Sequence, residues 1–463
     1  MTTSTFVLLI LLVYVAVMFA IGRTAKRRIH SFQDAIAAPG QVPLLLLAGS
    51  AVASQIGSGF VVGGAEYGAR YGIGGAWYGI GCGLAYLVTA CLSKFIYRHQ
   101  YVSLADFFAQ RYRGRAPRLI YSVATMCCCV AMLASQLLAG RAILMTLGLP
   151  AAWGVALTAL VALVYANVAG LWGSMAMSTV QTTTIFLGMV AALAAALLRL
   201  GPGLLVQSLP ASYFHPVPFD FEFLVATAVP IVLAGAVNQV TFQSVCSAKS
   251  AKTARRGYLA ASAMLLPVAL IPPVLGMFGR VLFPELPDAE VFTTLLLSRL
   301  PAPVAAVILA AVVCAVITAC NTAYIAVATN FVHDIYQGMI KPEADSRTCR
   351  RMMLWVDMAV CAVGVFLALR MDDIIQLLSM GYGLLASGCL VPFLGGVVWK
   401  RGSERGALVS SVVGMAASLA SSLGLIRLPY ACITCILLAA AAYVLGSLLL
   451  PAQTAQPGGT GAR

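Results

Sequence analysis

The amino-acid sequence predicts an all-α polytopic membrane protein with about thirteen transmembrane helices. Of its 463 residues, 61% are hydrophobic and only 10% are charged. Soluble domains carry about 25% charged residues, so this composition is typical of a membrane protein. Polar gaps between the apolar stretches reach only about 20 residues, and no separate soluble domain is expected.

A membrane-spanning helix needs about 20 mostly apolar residues. Thirteen stretches satisfy this requirement, and an odd number places the two termini on opposite sides of the membrane. The predicted spans are residues 5–22, 43–68, 73–96, 118–148, 150–171, 177–199, 223–246, 258–283, 302–331, 352–370, 374–398, 404–425 and 429–450.

The distribution of Lys and Arg predicts the orientation of these spans. With the N-terminus outside, 22 of the 29 basic residues fall in inside segments, as the positive-inside rule requires. The net charge of +14 is therefore explained by topology, and no nucleic-acid partner is predicted. The first apolar run is followed, not preceded, by basic residues, which indicates a retained helix rather than a signal peptide.

Several function classes are disfavoured by the absence of their motifs. No GxxxxGK[ST] phosphate-binding loop occurs, so ATP-driven transport within this chain is not expected. The four histidines lie in loops or near span ends, and the thirteen cysteines have no metal-ligand spacing. We therefore predict neither an enzyme nor a resident cofactor. No ring of charges or filter-like repeat favours a channel.

Residues 51–68 form an apolar stretch that cannot be one continuous helix. Gly57, Gly59, Gly63 and Gly64 lie within eight residues of one another. In a bilayer, interrupted backbone is tolerated only where protein or a water-filled cavity satisfies its polar groups. The stretch is therefore a candidate binding site at mid-membrane, with close helix packing as the alternative explanation for the glycines.

A second span, 223–246, contains Pro230 and Gly235 followed by an amide pair, and it lies five spans after the first break. Broken helices in corresponding positions of two halves indicate an inverted-repeat transporter with a midplane site. The predicted parts are a peripheral first helix and inner loop (1–42), a first repeat (43–200), an outer loop (201–222), a second repeat (223–398), two peripheral helices (399–450) and a disordered tail (451–463).

Uncharged hydrogen-bonding residues on the two broken helices are the predicted solute contacts. Helix–helix hydrogen bonding is the alternative role for each of them. Arg141, inside the fourth span, is predicted to bind an anionic group, with an interfacial position or a pair with Glu66 as alternatives. The predicted substrate-binding residues are Gln55, Ser58, Gln136, Arg141, Asn238 and Gln239.

The remaining intramembrane polar residues have simpler expected roles. Glu66 and Arg70 are four residues apart, the spacing of a helical ion pair. Asp357 is expected to pair with a loop arginine, and Asp372 and Asp373 are expected to be solvated in an outer turn. Candidate aromatic gates are Phe60 and Tyr382.

Five motifs together resemble the sodium/solute symporter family, whose members include sodium/proline, pantothenate and sugar carriers. The likeness covers nearly all of residues 5–450. The motifs are SAVASQIGSGFVVGGAEYG, YANVAGLWGSMAMSTVQ, NQVTFQSVCSAKSAKTARRG, ITACNTAYIAVATNFVHDIY and GGVVWKRGSERGALVSSVVG.

The resemblance implies a sodium site between the first broken helix and the ninth span. The implied ligands are the carbonyls of Ala53, Ile56 and Ala315 and the hydroxyl of Thr318. Oxygen ligands of this kind suit a hard cation. The sequence departs from the family pattern at three positions, where a hydroxyl or acidic residue is common: Ala319, Ser178 and Gln55.

The resemblance therefore implies a secondary transporter that imports a small organic solute with sodium by alternating access, in the cell membrane. Arg141 favours a carboxylate solute. Since the three departures remove oxygen ligands or charge, a proton-coupled or uncoupled carrier of the same fold is the alternative. A transporter-like sensor or a channel is the less favoured third interpretation.

Overall fold

The computed structural model describes residues 3–26, 40, 42–217 and 221–449. These residues are overwhelmingly helical, and within them the β-structure consists of one isolated bridge between Val42 and Ala248. The predicted all-α class is confirmed. Most of the predicted first inner loop, and the tail predicted to be disordered, lie outside the described residues.

The α-helices are numbered here in chain order over the described residues. Three π-helical segments, Ser58–Gly63, Thr329–Ile340 and Ala386–Leu390, continue from or lead into them. The helices are α1 (Thr3–Lys26), α2 (Leu44–Gln55), α3 (Gly64–Tyr71), α4 (Ala76–His99), α5 (Leu104–Tyr112), α6 (Arg115–Thr146), α7 (Ala151–Leu200), α8 (Pro202–Ser208), α9 (Phe221–Ala234), α10 (Gln239–Ser247), α11 (Ala251–Val268), α12 (Ile271–Leu282), α13 (Asp288–Arg299), α14 (Ala302–Ala328), α15 (Ser346–Arg370), α16 (Ile374–Leu385), α17 (Val391–Val398), α18 (Glu404–Ser422) and α19 (Ala431–Leu449).

Candidate membrane crossings are described helices that are both long and apolar. Ten described helical segments are long and apolar enough to cross a membrane, or eleven if the bent pair α9–α10 is one span. The predicted number of thirteen is not confirmed. Helix α2 has only 12 residues before its break. The predicted spans 150–171 and 177–199 lie in one 50-residue helix, α7.

The first break separates α2 from α3 at Ile56 and Gly57. The Gly57 N–H donates a hydrogen bond to the Gln55 carbonyl at 2.8 Å. The Ser58 N–H is bound by Gln136 Oε1, which reaches across from α6 at 3.1 Å. A Cβ atom on Gly57 would lie only 2.9 Å from this amide oxygen. Glycine is therefore needed here so that Gln136 can satisfy the interrupted backbone.

The second break separates α9 from α10, whose axes differ by 41°. Asn238 caps α10, since its Oδ1 accepts the Val240 N–H at 2.9 Å. The freed carbonyls of Gly235 and Val237 accept hydrogen bonds from Thr89 Oγ1 at 3.3 Å and Tyr121 Oη at 3.0 Å. Side chains of neighbouring helices thus replace the missing helical partners, as a bilayer requires.

Helix α14 is the central element of the helical packing. In its most apolar 18-residue stretch, 83% is buried inside the protein. The helix packs against α1, α2, α6 and α7. Helix α1, predicted to be peripheral, packs on α7 and α14 with Met18 fully buried. The predicted domain boundaries stay predictions.

The predicted outer loop 201–222 contains α8 and a short 3₁₀ turn, Ala211–Phe214. Tyr213 Oη donates to the Ala69 carbonyl at the end of α3 at 3.1 Å. Trp77 Nε1 donates to the Pro216 carbonyl at 2.6 Å. These contacts hold the segment over the end of the first broken helix.

The first break yields a stability prediction for Gln136→Leu. The substitution leaves the buried Ser58 N–H without its acceptor, a loss of about 1–3 kcal/mol. We expect a lower thermal unfolding temperature for the detergent-purified variant. Gln207→Leu, at an exposed position of α8, is the matched control. Equal unfolding temperatures for the two variants would contradict the capping role of Gln136.

Candidate functional site

A small cavity lies where the two broken helices approach α14. Its open volume is about 20 Å³, close to the smallest space that holds one water molecule. A solute can therefore enter only if the surrounding helices separate. The polar side chains that line the cavity are Ser54, Gln55, Tyr86, Asn238, Thr241, Thr322 and Tyr382.

Gln55 and Asn238 are the two predicted solute contacts that the structure brings together. Gln55 is the last residue of α2, and Asn238 is the N-cap residue of α10, so each lies at a break. Both side chains are half-buried and line the cavity. Asn238 uses Oδ1 to cap α10. Tyr86 holds the end of α2 in place, since its hydroxyl donates to the Ala51 carbonyl at 2.5 Å and contacts Ser54 Oγ at 2.8 Å.

The other uncharged candidates bind the protein itself and do not line this cavity. Ser58 Oγ contacts Ser135 Oγ at 3.2 Å, beside the bond that Gln136 makes to the Ser58 backbone. Gln239 accepts the Leu104 N–H at 3.3 Å and donates to the Val102 carbonyl at 3.2 Å. In this conformation Ser58, Gln136 and Gln239 fit the helix–helix alternative.

Arg141 lies away from the cavity, where α6 approaches the end of α15. Its guanidinium donates to the Ala368 carbonyl at 3.1 Å and forms an ion pair with Asp372 at 2.7 Å. Asp372 is 90% exposed, so the pair is open to solvent. This position fits the alternative in which Arg141 lies at the membrane interface. Its ion-pair partner is Asp372, not Glu66.

Arg70 is the centre of a network at the end of α3. It pairs with Glu66 at 3.3 Å, with Asp288 of α13 at 2.9 Å and with Asp373, which caps α16, at 3.3 Å. The predicted Glu66–Arg70 pair is present. Asp373 is not simply solvated as expected, because Tyr67 and the α16 backbone also donate to it. This network joins the broken helix to α13 and α16.

A second network joins α5 and α6 to the π-helical continuation of α14. Asp334 is fully buried and accepts from Ser103 Oγ at 2.6 Å. His333 Nδ1 lies 2.9 Å and Arg118 Nη2 3.5 Å from the same carboxylate. Arg118 also pairs with Asp106 at 3.1 Å. Asp334 lies in the fourth of the five family motifs, but the sequence alone did not predict this connection.

The residues implied as sodium ligands are buried on two helices that pack together. Ala53 and Ile56 flank the first break, and Ala315 and Thr318 lie on α14. Because the Gly57 and Ser58 N–H groups donate elsewhere, the Ala53 and Ser54 carbonyls lose their regular helical donors. The Thr318 hydroxyl donates to the Cys314 carbonyl at 2.9 Å.

Gln181 is a further oxygen donor in this region that sequence reasoning missed. Its side chain is fully buried, and Oε1 has no hydrogen-bond partner among the described residues. Its Nε2 lies 4.0 Å from Met18 Sδ, the same atom that Thr318 Oγ1 approaches at 4.0 Å. The sequence offered one indication of this role. Gln181 follows Ser178 by three positions on α7, so the two side chains lie on the same face of the helix, and Ser178 is one of the three departures from the family pattern.

Two minor expectations have different outcomes. Tyr382 lines the cavity, whereas Phe60 does not and packs against Gly79 instead. The expected pairing of Asp357 with a loop arginine is wrong. Asp357 is fully buried, and neither of its oxygens has a partner among the described residues.

Comparisons with known proteins agree with the helical architecture. The sequence is 26% identical over 331 residues to a sodium/pantothenate symporter from Haemophilus influenzae, covering 68% of this chain and 67% of that protein. It is 22% identical to a sodium/glucose cotransporter from Vibrio parahaemolyticus, covering 88% and 83% of the two chains.

Solved structures share the fold. A Na⁺-coupled sialic acid symporter in a substrate-bound outward-open state superposes with a TM-score of 0.81 at 16% identity, covering 97% of this chain and 99% of that chain. The nucleobase-cation-symport-1 transporter Mhp1, in a closed conformation, gives 0.58 at 14% identity, covering 89% and 95%. The profile of the sodium:solute symporter family matches residues 36–414, and the chain therefore belongs to the sodium:solute symporter family.

Proposed function

We propose that this protein is a secondary active transporter that imports a small, uncharged organic solute together with sodium by alternating access. The single observation that carries the proposal is the meeting of two interrupted helices at a closed polar cavity. The family consists of sodium-coupled transporters rather than enzymes, which supports sodium as the coupling ion.

Sodium would bind between α2 and α14. The proposed ligands are the carbonyls of Ala53, Ile56 and Ala315 and the hydroxyl of Thr318. The freed Ala53 carbonyl supports this assignment, since a hard cation prefers oxygen ligands from unwound backbone. Gln181 Oε1 would replace the oxygen that Ala319 lacks. A cation held in this way would tie the first broken helix to α14.

The solute would bind in the cavity beside the two breaks. Gln55 and Asn238 are the proposed contacts, with Thr241 on the same cavity wall. No charged side chain lines the cavity within the described part of the chain. This supports a hydroxyl- or amide-bearing solute. The carboxylate class predicted from Arg141 loses its support, because Arg141 binds Asp372 and lies outside the cavity.

Two polar networks would act as the gates of the transport cycle. The Arg70 network closes one end of the broken helix, and the Asp334 network closes the end of α14 near α5 and α6. Both are formed in this conformation, which supports an occluded state. Opening one network at a time would expose the cavity to each side in turn.

The proposed location is the cell membrane, with the N-terminus outside and the C-terminus in the cytoplasm. The arrangement of basic residues supports this orientation, because the inside segments hold most of them. The proposed partners are sodium, the solute and the surrounding lipid, with no nucleic acid. The orientation places the Arg70 network outside and the Asp334 network inside.

Sodium coupling is tested by uptake into proteoliposomes. A thermal-stability screen of the purified protein first identifies a stabilising solute, starting with sugars and amides. We expect uptake of that labelled solute to rise at least tenfold, roughly 1.4 kcal/mol, when sodium replaces choline outside. Equal uptake in the two salts would contradict sodium coupling and favour the proton-coupled or uncoupled alternative.

The solute site is tested by comparing Gln55→Ala with Arg141→Ala. Loss of a cavity hydrogen bond of about 1.4 kcal/mol raises the KM of uptake about tenfold for Gln55→Ala. Arg141→Ala keeps the KM within about twofold, since a solvent-exposed ion pair contributes little. Gln207→Ala is the matched amide control. A large KM increase in Arg141→Ala alone would show that the solute contacts Arg141 and not Gln55.

A further inference from the structure

Asp357 is a buried carboxylate at the centre of α15, and the transport cycle described above leaves it without a role. It is the twelfth of the 25 residues of α15, about 17 Å from the first residue of that helix. The side chain is fully buried, and neither oxygen has a hydrogen-bond partner among the described residues. An ionised carboxylate without a partner is costly in such a place.

Two titratable groups lie close enough to Asp357 to interact with it, one on α14 and one on its own helix. Tyr324 of α14 and Cys361 of α15 both interact electrostatically with the carboxylate. Asp357 and Cys361 are four residues apart, and so are Cys320 and Tyr324, so each pair lies on one face of its helix. Cys320 interacts with Cys361, which shows that the two faces oppose each other.

The other elements packed against α15 include α6, α7 and the π-helical continuation of α14. The charged residue of α7, Arg199, donates to the Arg299 carbonyl. Helix α6 meets α15 with Leu133 and Leu137, which contact Gly364. In the π-helical continuation of α14, His333 and Asp334 are engaged with each other and with groups of α5 and α6. Within the described chain, no Lys, Arg or His side chain pairs with Asp357.

The chemistry of these neighbours distinguishes a proton from a metal cation as the ligand. A sodium ion needs several oxygen ligands, whereas the titratable groups that interact with Asp357 are one thiol, Cys361, and one phenol, Tyr324. A proton needs only the carboxylate itself. The Tyr324 hydroxyl of α14 interacts electrostatically with the carboxylate, so it is the hydrogen-bonding group that α14 brings to this site.

We propose that Asp357 is a proton-binding site, which carries a proton in this occluded conformation and exchanges it with water when α14 and α15 move apart. In that step the carboxyl O–H bond breaks, the proton passes to a water molecule, and the carboxylate remains hydrated. Helix α14 couples the step to transport, because Thr318, Ala319 and Thr322 precede Tyr324 on the same helix. The coupling rests on the proposed function, whereas the protonation itself does not.

Infrared spectroscopy of the purified protein at pH 7 tests protonation directly and needs no transport. We expect the carbonyl stretch of one protonated carboxyl group in wild type to vanish in Asp357→Asn. Asp357→Glu keeps a titratable group and shows a shifted band, which separates loss of the proton from loss of the fold. Glu343→Gln, at an exposed position, leaves the band of the protonated carboxyl group unchanged. Identical carboxyl bands in wild type and Asp357→Asn would overturn the proposal.

Proton exchange on addition of sodium tests the coupling. The protein is placed in weak buffer with a pH indicator, and sodium chloride is added in place of choline chloride. Sodium shifts the conformational population, and up to about one proton per protein is exchanged between Asp357 and the solvent. We expect less than about a tenth of that exchange in Asp357→Asn, and full exchange in Glu343→Gln. Equal exchange in Asp357→Asn overturns the coupling. Sodium-independent uptake in proteoliposomes would contradict the proposed function alone, while the infrared band still decides protonation.

Discussion

Interrupted helices leave backbone N–H and C=O groups without partners, and the interior of a bilayer offers no water to satisfy them. The architecture of this protein follows from that constraint. At the first break, Gln136 takes the Ser58 N–H. At the second break, the freed backbone groups form hydrogen bonds with the side chains of Asn238, Thr89 and Tyr121. The carbonyls of Ala53 and Ser54 lose their regular helical donors, and Ser54 lines the polar cavity.

The same constraint explains why α14 is so deeply buried. It packs against α2 at the first break, and it contributes Ala319 and Thr322 to the cavity and Thr318 to the proposed cation site. Its continuation ends in Asp334, which connects it to α5 and α6. One helix therefore touches the proposed cation site, the proposed solute site and one of the two proposed gates. A displacement of α14 would affect all three together, which is what coupled transport requires.

Local sequence patterns predicted the features that depend on neighbouring residues. Apolar runs gave the helical class, glycine and proline marked both breaks, and the spacing of four predicted the Glu66–Arg70 pair. Long-range partners were not predictable in this way. Arg141 and Asp372 are 231 positions apart in the chain, and the choice of Asp372 over Glu66 depends on how α6 meets α15 and α16. Gln136 and Gln239 show no local sign that their amides are used by distant backbone.

The predicted number of spans was not confirmed for a related reason. The length of an apolar stretch shows how much of the bilayer core the segment can cross. It does not show whether the chain turns within the segment. Residues 151–200 form the unbroken helix α7, yet two separate stretches of it, Ala151–Val168 and Met177–Leu200, are each long and apolar enough to cross a membrane. The loss of a hydroxyl at Ala319 suggested a weakened ion site from sequence alone. The unpartnered Gln181 oxygen became visible only once α7 was placed near α1 and α14.

The central claim is that the first break and α14 together hold the coupling ion. The sodium dependence of uptake in Thr318→Ala and Thr318→Ser proteoliposomes tests it most directly. Loss of one oxygen ligand of about 1.4 kcal/mol raises the sodium concentration for half-maximal uptake about tenfold in Thr318→Ala. Thr318→Ser keeps the hydroxyl and the wild-type sodium dependence. The same half-maximal sodium concentration in wild type and Thr318→Ala would contradict the account.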